Sequence, residues 1–141
     1  VVSDDGVVFK PLKFKPAALL NLPFYVPDTA RLIETVEGFE PIEGVTEVAQ
    51  LLDLARREYP TIYRDWRVVT FDRLGPAFEG DPGAHILIRS GKVRRIRFGP
   101  VDFPGQMRRL KYLLHDPRIE RMSQLNSINL SLGEPVFVEE N

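Results

Sequence analysis

A chain of 141 residues carries about one core's worth of apolar surface, so a single domain is the expected organisation. Hydrophobic residues make up 43% and charged residues 28%, and no run approaches the ~18 apolar residues of a membrane helix. With no cysteine the sequence excludes disulfides, thiolate metal sites and a cysteine nucleophile, and a net charge of −1 argues against a main task of holding nucleic acid.

The charges are segregated. Basic residues concentrate from Arg89 to Arg121, and acidic ones from Asp28 to Glu47, which predicts a polarised surface. The chain opens on Val1 within a strand-like run, and reads as a piece of something longer. VVSDDGVVF alternates around Asp5-Gly6, a dipeptide suited to a tight hairpin. Pro11 and Pro16 break that pattern, and PAALLNLPFYVPD, interrupted by Pro23 and Pro27, reads as a buried extended segment. Gly38, Pro41 and Gly44 keep the next stretch irregular.

From Thr46 to about Glu58 the period becomes helical. Val48, Leu51, Leu52 and Ala55 share one face, Thr46 is the expected cap, and Pro60 ends the helix. DWRVVTFDRLG reads as a strand with Val69 and Phe71 on one face, and EGDPG as a turn cluster. HILIR and KVRRIRF, separated by Ser90-Gly91, predict a hairpin. Strict alternation in its second strand sets Arg95 and Arg97 on one face, and Arg94, Ile96 and Phe98 on the other.

A second helix is expected from Asp102 as N-cap, with Pro104 in its first turn and Met107, Leu110, Leu113 and Leu114 as its apolar stripe. Asp116-Pro117 stops it. SINLSL alternates, with Ile128, Leu130 and Leu132 on one face, and Gly133-Glu134 turns the chain toward Val136-Phe137-Val138. These elements predict an α+β domain with a mostly antiparallel sheet of six to eight short strands and two main helices.

The residues that carry chemistry are sparse. His85 and His115 stand alone, without a two-ligand spacing, and are assigned local structural roles. No serine lies in a GxSxG turn. Asp4-Asp5 and Glu139-Glu140 are adjacent pairs that point apart if extended. SGKVRRIRFGP lacks the phosphate-loop spacings. No catalytic, metal-binding or cofactor-binding residue is nominated, and the chain is read as a non-enzyme. The remaining ambiguity is an anion-binding patch of Arg94, Arg95, Arg97, Arg108, Arg109 and Lys111, suited to nucleic acid or acidic lipid. The plainer reading is a solvated face. The absence of interleaved aromatics gives no support for base stacking.

Four segments in order resemble the extracytoplasmic β domain of the bacterial division proteins FtsQ and DivIB: SDDGVVF, LNLPFYVPD, GKVRRIRFG with QMRRLKYLL, and SINLSLGEPVFV. The resemblance spans nearly the whole chain. It implies that residues 1–141 are a single domain of this type from a longer protein, with a small POTRA-type module and one inner-membrane helix upstream. It further implies a periplasmic scaffold of the divisome, without cofactor, active in septum formation during cell division. That scaffold recruits FtsB- and FtsL-like partners through its last strand. An exposed strand edge has unpaired N–H and C=O groups and invites strand addition. The positions implied are Leu132, Gly133, Val136, Phe137 and Val138. Pro135 lacks an N–H and interrupts pairing at its own place.

Overall fold

The computed structural model describes residues 23–25, 34–35, 38–39, 44–71, 74, 83–131 and 137–140, with the short strands at 24–25, 34–35, 38–39 and 137–140 given by backbone alone. The expected opening hairpin, most of the apolar PAALLNLPFYVPD segment, the EGDPG turn before Gly83 and the Gly133-Glu134 turn lie outside these residues. In chain order the strands are β1 (Phe24–Tyr25), β2 (Glu34–Thr35), β3 (Gly38–Phe39), β4 (Trp66–Thr70), β5 (Ile86–Ser90), β6 (Val93–Phe98), β7 (Leu125–Asn129) and β8 (Phe137–Glu140). The helices are α1 (Val45–Glu58), α2 (Pro60–Arg64), α3 (Phe103–Leu114) and α4 (Pro117–Glu120).

The spacing of Val45, Val48, Leu51 and Ala55 gives α1 one buried stripe. Its start departs from expectation. Thr46 is exposed in the first turn, and the N-cap is Gly44 at φ 88°, a left-handed conformation that a side chain strains. A Cβ on Gly44 would also sit 3.2 Å from Leu74 Cβ and Phe71 Cδ2. Pro60 does end α1, but its fixed φ suits a first helical position, and it opens α2 as well. Asp102 caps α3 as predicted, accepting from the Gly105 N–H at 3.2 Å. Asp116 stops α3 and caps α4, accepting from the Arg118 N–H at 2.9 Å.

Strand order in the main sheet is β1-β4-β5-β6-β7-β8, with β2 and β3 as a separate antiparallel pair. The expected fold class is corrected here. The packed body is four strands, β4 to β7, rather than six to eight, and the described residues form four helices rather than two. The pairing is mixed: β4–β5, β5–β6 and β7–β8 are antiparallel, whereas β1–β4 and β6–β7 are parallel. Helices account for the parallel joints. A parallel neighbour needs a long crossover, and α1–α2 and α3–α4 supply the two crossovers.

One face of this sheet meets the helices. Ile86, Ile88, Ile96, Phe98, Ile128 and Leu130 pack there against Leu51 and Ala55 of α1 and Met107 and Leu110 of α3. Truncating one of these fully buried side chains to alanine costs about 2–5 kcal/mol. Trp66 closes one end of the core, edge-on to Tyr63 at 6.0 Å and to Phe98 at 5.7 Å between ring centroids. The opposite face holds Leu87, Arg89, Arg95, Arg97, Ser127 and Asn129, by alternation with the core residues.

Candidate functional site

Of the positions implied for partner binding, Leu132, Gly133 and Val136 lie outside the described residues. Phe137 and Val138 open β8, opposite Asn129 and Ile128 of β7. Among the described residues β8 pairs with β7 alone and stands at the margin of the sheet.

The chain leaving β7 toward that margin is fastened by short polar contacts. Asn129 Oδ1 accepts from the Ser131 backbone N–H at 3.0 Å and from the Ser131 hydroxyl at 2.5 Å, an Asx turn in which the side chain stands in for backbone. Arg109 of α3 donates from Nη2 to the Leu130 carbonyl at 3.1 Å, and the Leu130 N–H donates to Arg97 O at 2.9 Å.

Next to this turn lies a residue that hydrophobic patterning passes over. Gln106 is 2% exposed, and its amide clasps the joint between β6 and α3. Its Oε1 accepts from the Gly99 N–H at 2.7 Å, while Nε2 donates to Gly99 O at 3.1 Å and to Val101 O at 2.7 Å. A buried polar group is tolerated when its hydrogen bonds are met, and here they are. A Cβ on Gly99 would lie 3.4 Å from Ser131 Cα, so the Gln106 clasp and the Asn129 turn abut. The signal in sequence was Gln106 between Phe103 and Met107, a polar side chain on the apolar face of a helix.

The basic residues nominated as one anion-binding patch divide between the two sides of the sheet. Arg108, Arg109 and Lys111 sit on α3, on the helical side, whereas Arg95 and Arg97 project from the other face. Arg97 donates from Nη2 to Gly83 O at 3.3 Å, Arg109 is engaged with Leu130, and Lys111 Nζ lies 5.9 Å above the Tyr59 ring. Arg94 and Arg95 do come together, with Arg89, Gln124 and Asn126, around a shallow depression of about 390 Å³.

A second groove, of about 530 Å³, runs between the α1–α2 joint and the end of α3. Tyr59, Ile62, Trp66 and Leu114 give it a largely apolar wall, and His115 is part of its lining. Its Ser90 hydroxyl is engaged with the backbone of Val93 as both donor and acceptor, at 3.0 Å each. His115 approaches Glu120 at 3.7 Å in an exposed pair. His85 Nδ1 lies 2.7 Å from Gly83 O, a local contact that assigns its proton to Nδ1. Among the described residues no group of three or more His, Asp or Glu is placed to hold a metal ion, and no helix is long and apolar enough to cross a membrane.

Comparison with protein-family models, with curated proteins and with solved structures finds no match.

Proposed function

We propose that this domain is a non-catalytic scaffold that recruits a partner segment by strand addition to β8, in the manner its resemblance to the FtsQ and DivIB proteins implies. The observation that carries the reading is the position of β8, paired on one side and marginal on the other among the described residues. A strand so placed has a row of backbone donors and acceptors for an incoming chain. Support also comes from the frame behind it. Gln106, Arg109 and the Asn129 turn fix where β7 ends and where the chain departs toward β8.

In this reading the protein belongs to the division machinery, its domain lies on the periplasmic side of the inner membrane, and its partners are FtsB- and FtsL-like. Titration with FtsB-like segments, followed by NMR, tests it. Shifts are expected from Leu132 to Val138 and in β7, with little change in α1. An absence of shifts there with every plausible segment overturns the strand-addition claim.

A further inference from the structure

Three strands of the sheet break their alternation at the same level. In β4, Trp66 is opposite Ser90 while Val68 is opposite Arg89, so Arg67 is an extra residue. In β7, Leu125 is opposite Glu140 and Ser127 is opposite Glu139, so Asn126 is extra. In β6 the break shows in burial: Val93 and Ile96 are buried, whereas Arg94 and Arg95 between them are both exposed. Continued by one step, the Ile88↔Ile96 register sets Arg95 opposite Arg89. Each of these strands buries one residue, turns the next two outward and buries the fourth: Trp66 to Val69, Val93 to Ile96, Leu125 to Ile128. β6 and β7 break in step, and the parallel pairing between them runs in one register from Val93↔Leu125 to Arg97↔Asn129.

A bulge re-aims side chains. Strict alternation would send Arg94 toward the core with Ile96. The break in β6 instead brings it out beside Arg95 and near Arg89, and all three residues are exposed. Like charges on facing strands are unfavourable, and among the described residues none of the three has a carboxylate partner within ion-pair distance. Arg94 Nε donates to Gln124 Oε1 at 3.3 Å, which orients it without neutralising it.

We propose that these breaks in alternation build a docking site for an acidic peptide segment of a partner protein, with Arg89, Arg94 and Arg95 taking its carboxylates and Asn126 lining the same depression. Guanidinium forks match carboxylates bidentately, and side-chain amides both donate and accept. Charge complementarity names the occupant. Roughly a dozen water volumes fill the depression, which is more than one small anion needs. Among the described residues no aromatic side chain lines it for base stacking, and the exposed large apolar side chains that would anchor a lipid surface, Val101 and Tyr112, lie before and on α3 instead. The site is distinct from the β8 edge and stands whether or not a strand adds there.

An octaglutamate peptide titrated into the protein at low salt is the probe. Amide and guanidinium shifts centred on Arg89, Arg94, Arg95 and Asn126 are expected. The triple variant Arg89→Gln, Arg94→Gln, Arg95→Gln should weaken binding roughly tenfold or more, whereas Arg108→Gln on the helical side should leave it within about twofold. An unchanged amide spectrum away from the site verifies that the triple variant is folded. The proposal is overturned if the peptide does not shift these residues, or if Arg108→Gln weakens binding as much per charge. It is equally overturned if inorganic phosphate, anionic vesicles or a single-stranded oligonucleotide bind the same residues more tightly than the peptide. Self-association abolished by the triple variant would assign the site to a second copy, and also overturns it.

Discussion

Gln106 illustrates how much a single polar side chain holds in place. Replacing it with Leu leaves the Gly99 N–H and C=O without their partners in a buried joint, at roughly 1–3 kcal/mol for each orphaned group. Gln106→Leu is thus expected to lose about 2–6 kcal/mol in denaturant unfolding. A loss under about 0.5 kcal/mol would show that the clasp is not needed. Asp116 operates at the surface. The side chain of Arg118, and then its backbone N–H, donate to the Asp116 carboxylate and hold its pKa below the ordinary aspartate range. A carboxyl depressed by folding stabilises the fold above its unfolded pKa, near pH 4, and that stabilisation is lost as pH falls through the folded value. NMR titration of Asp116 should accordingly give a midpoint below that of its Arg118→Ala variant. Equal midpoints would contradict the assignment. Residue types foretold the Asp102 cap, since a short acidic side chain before a proline-containing first turn has one obvious use, and read Asp116-Pro117 as a stop without the cap that Asp116 also supplies to α4. They did not foretell Gln106, because its partners are backbone groups that only tertiary structure brings near.

At the scale of elements, helices were the most legible parts. Of the stripe Val48, Leu51, Leu52, Ala55 and the stripe Met107, Leu110, Leu113, Leu114, the structure buries Val48, Leu51, Ala55, Met107 and Leu110 and leaves Leu52, Leu113 and Leu114 half-buried against the core. Local patterning puts the cap of α1 at Thr46, two residues late, because the preference for hydroxyl caps is a local rule. Gly44 answers to its neighbours instead, since Leu74 and Phe71 crowd the place of a side chain. Gly44→Ala combines left-handed strain with that crowding, and a loss of about 1–2 kcal/mol is expected. Unchanged thermal stability would argue against the left-handed cap. The hairpin was also misplaced by one residue. Its turn is Gly91-Lys92, held by Asp65, whose backbone carbonyl accepts from the Gly91 N–H at 3.1 Å and whose Oδ2 accepts from the Lys92 N–H at 2.8 Å. A Cβ on Gly91 would collide with Asp65 Oδ1 at 2.5 Å, so the contact selects glycine. Alternation along β6 fails at Arg94, which is exposed beside Arg95 between the buried Val93 and Ile96.

For the whole molecule, the order of elements was largely visible from residue 44 onward, but their pairing was not. A two-residue turn announces an antiparallel neighbour, whereas nothing local announces that a helix returns its strand parallel, as α3 and α4 do for β7. That crossover also separates the helical arginines from those on the strands, which a linear reading had joined. It leaves the last described strand at the margin, on which the account of a scaffold turns. Amide hydrogen exchange of Phe137–Glu140, with and without a bound FtsB-like segment, tests that account most directly. Strand addition predicts exchange in β8 slowed at least tenfold on binding, with α1 unchanged. Exchange in β8 that stays the same under saturating partner would contradict it.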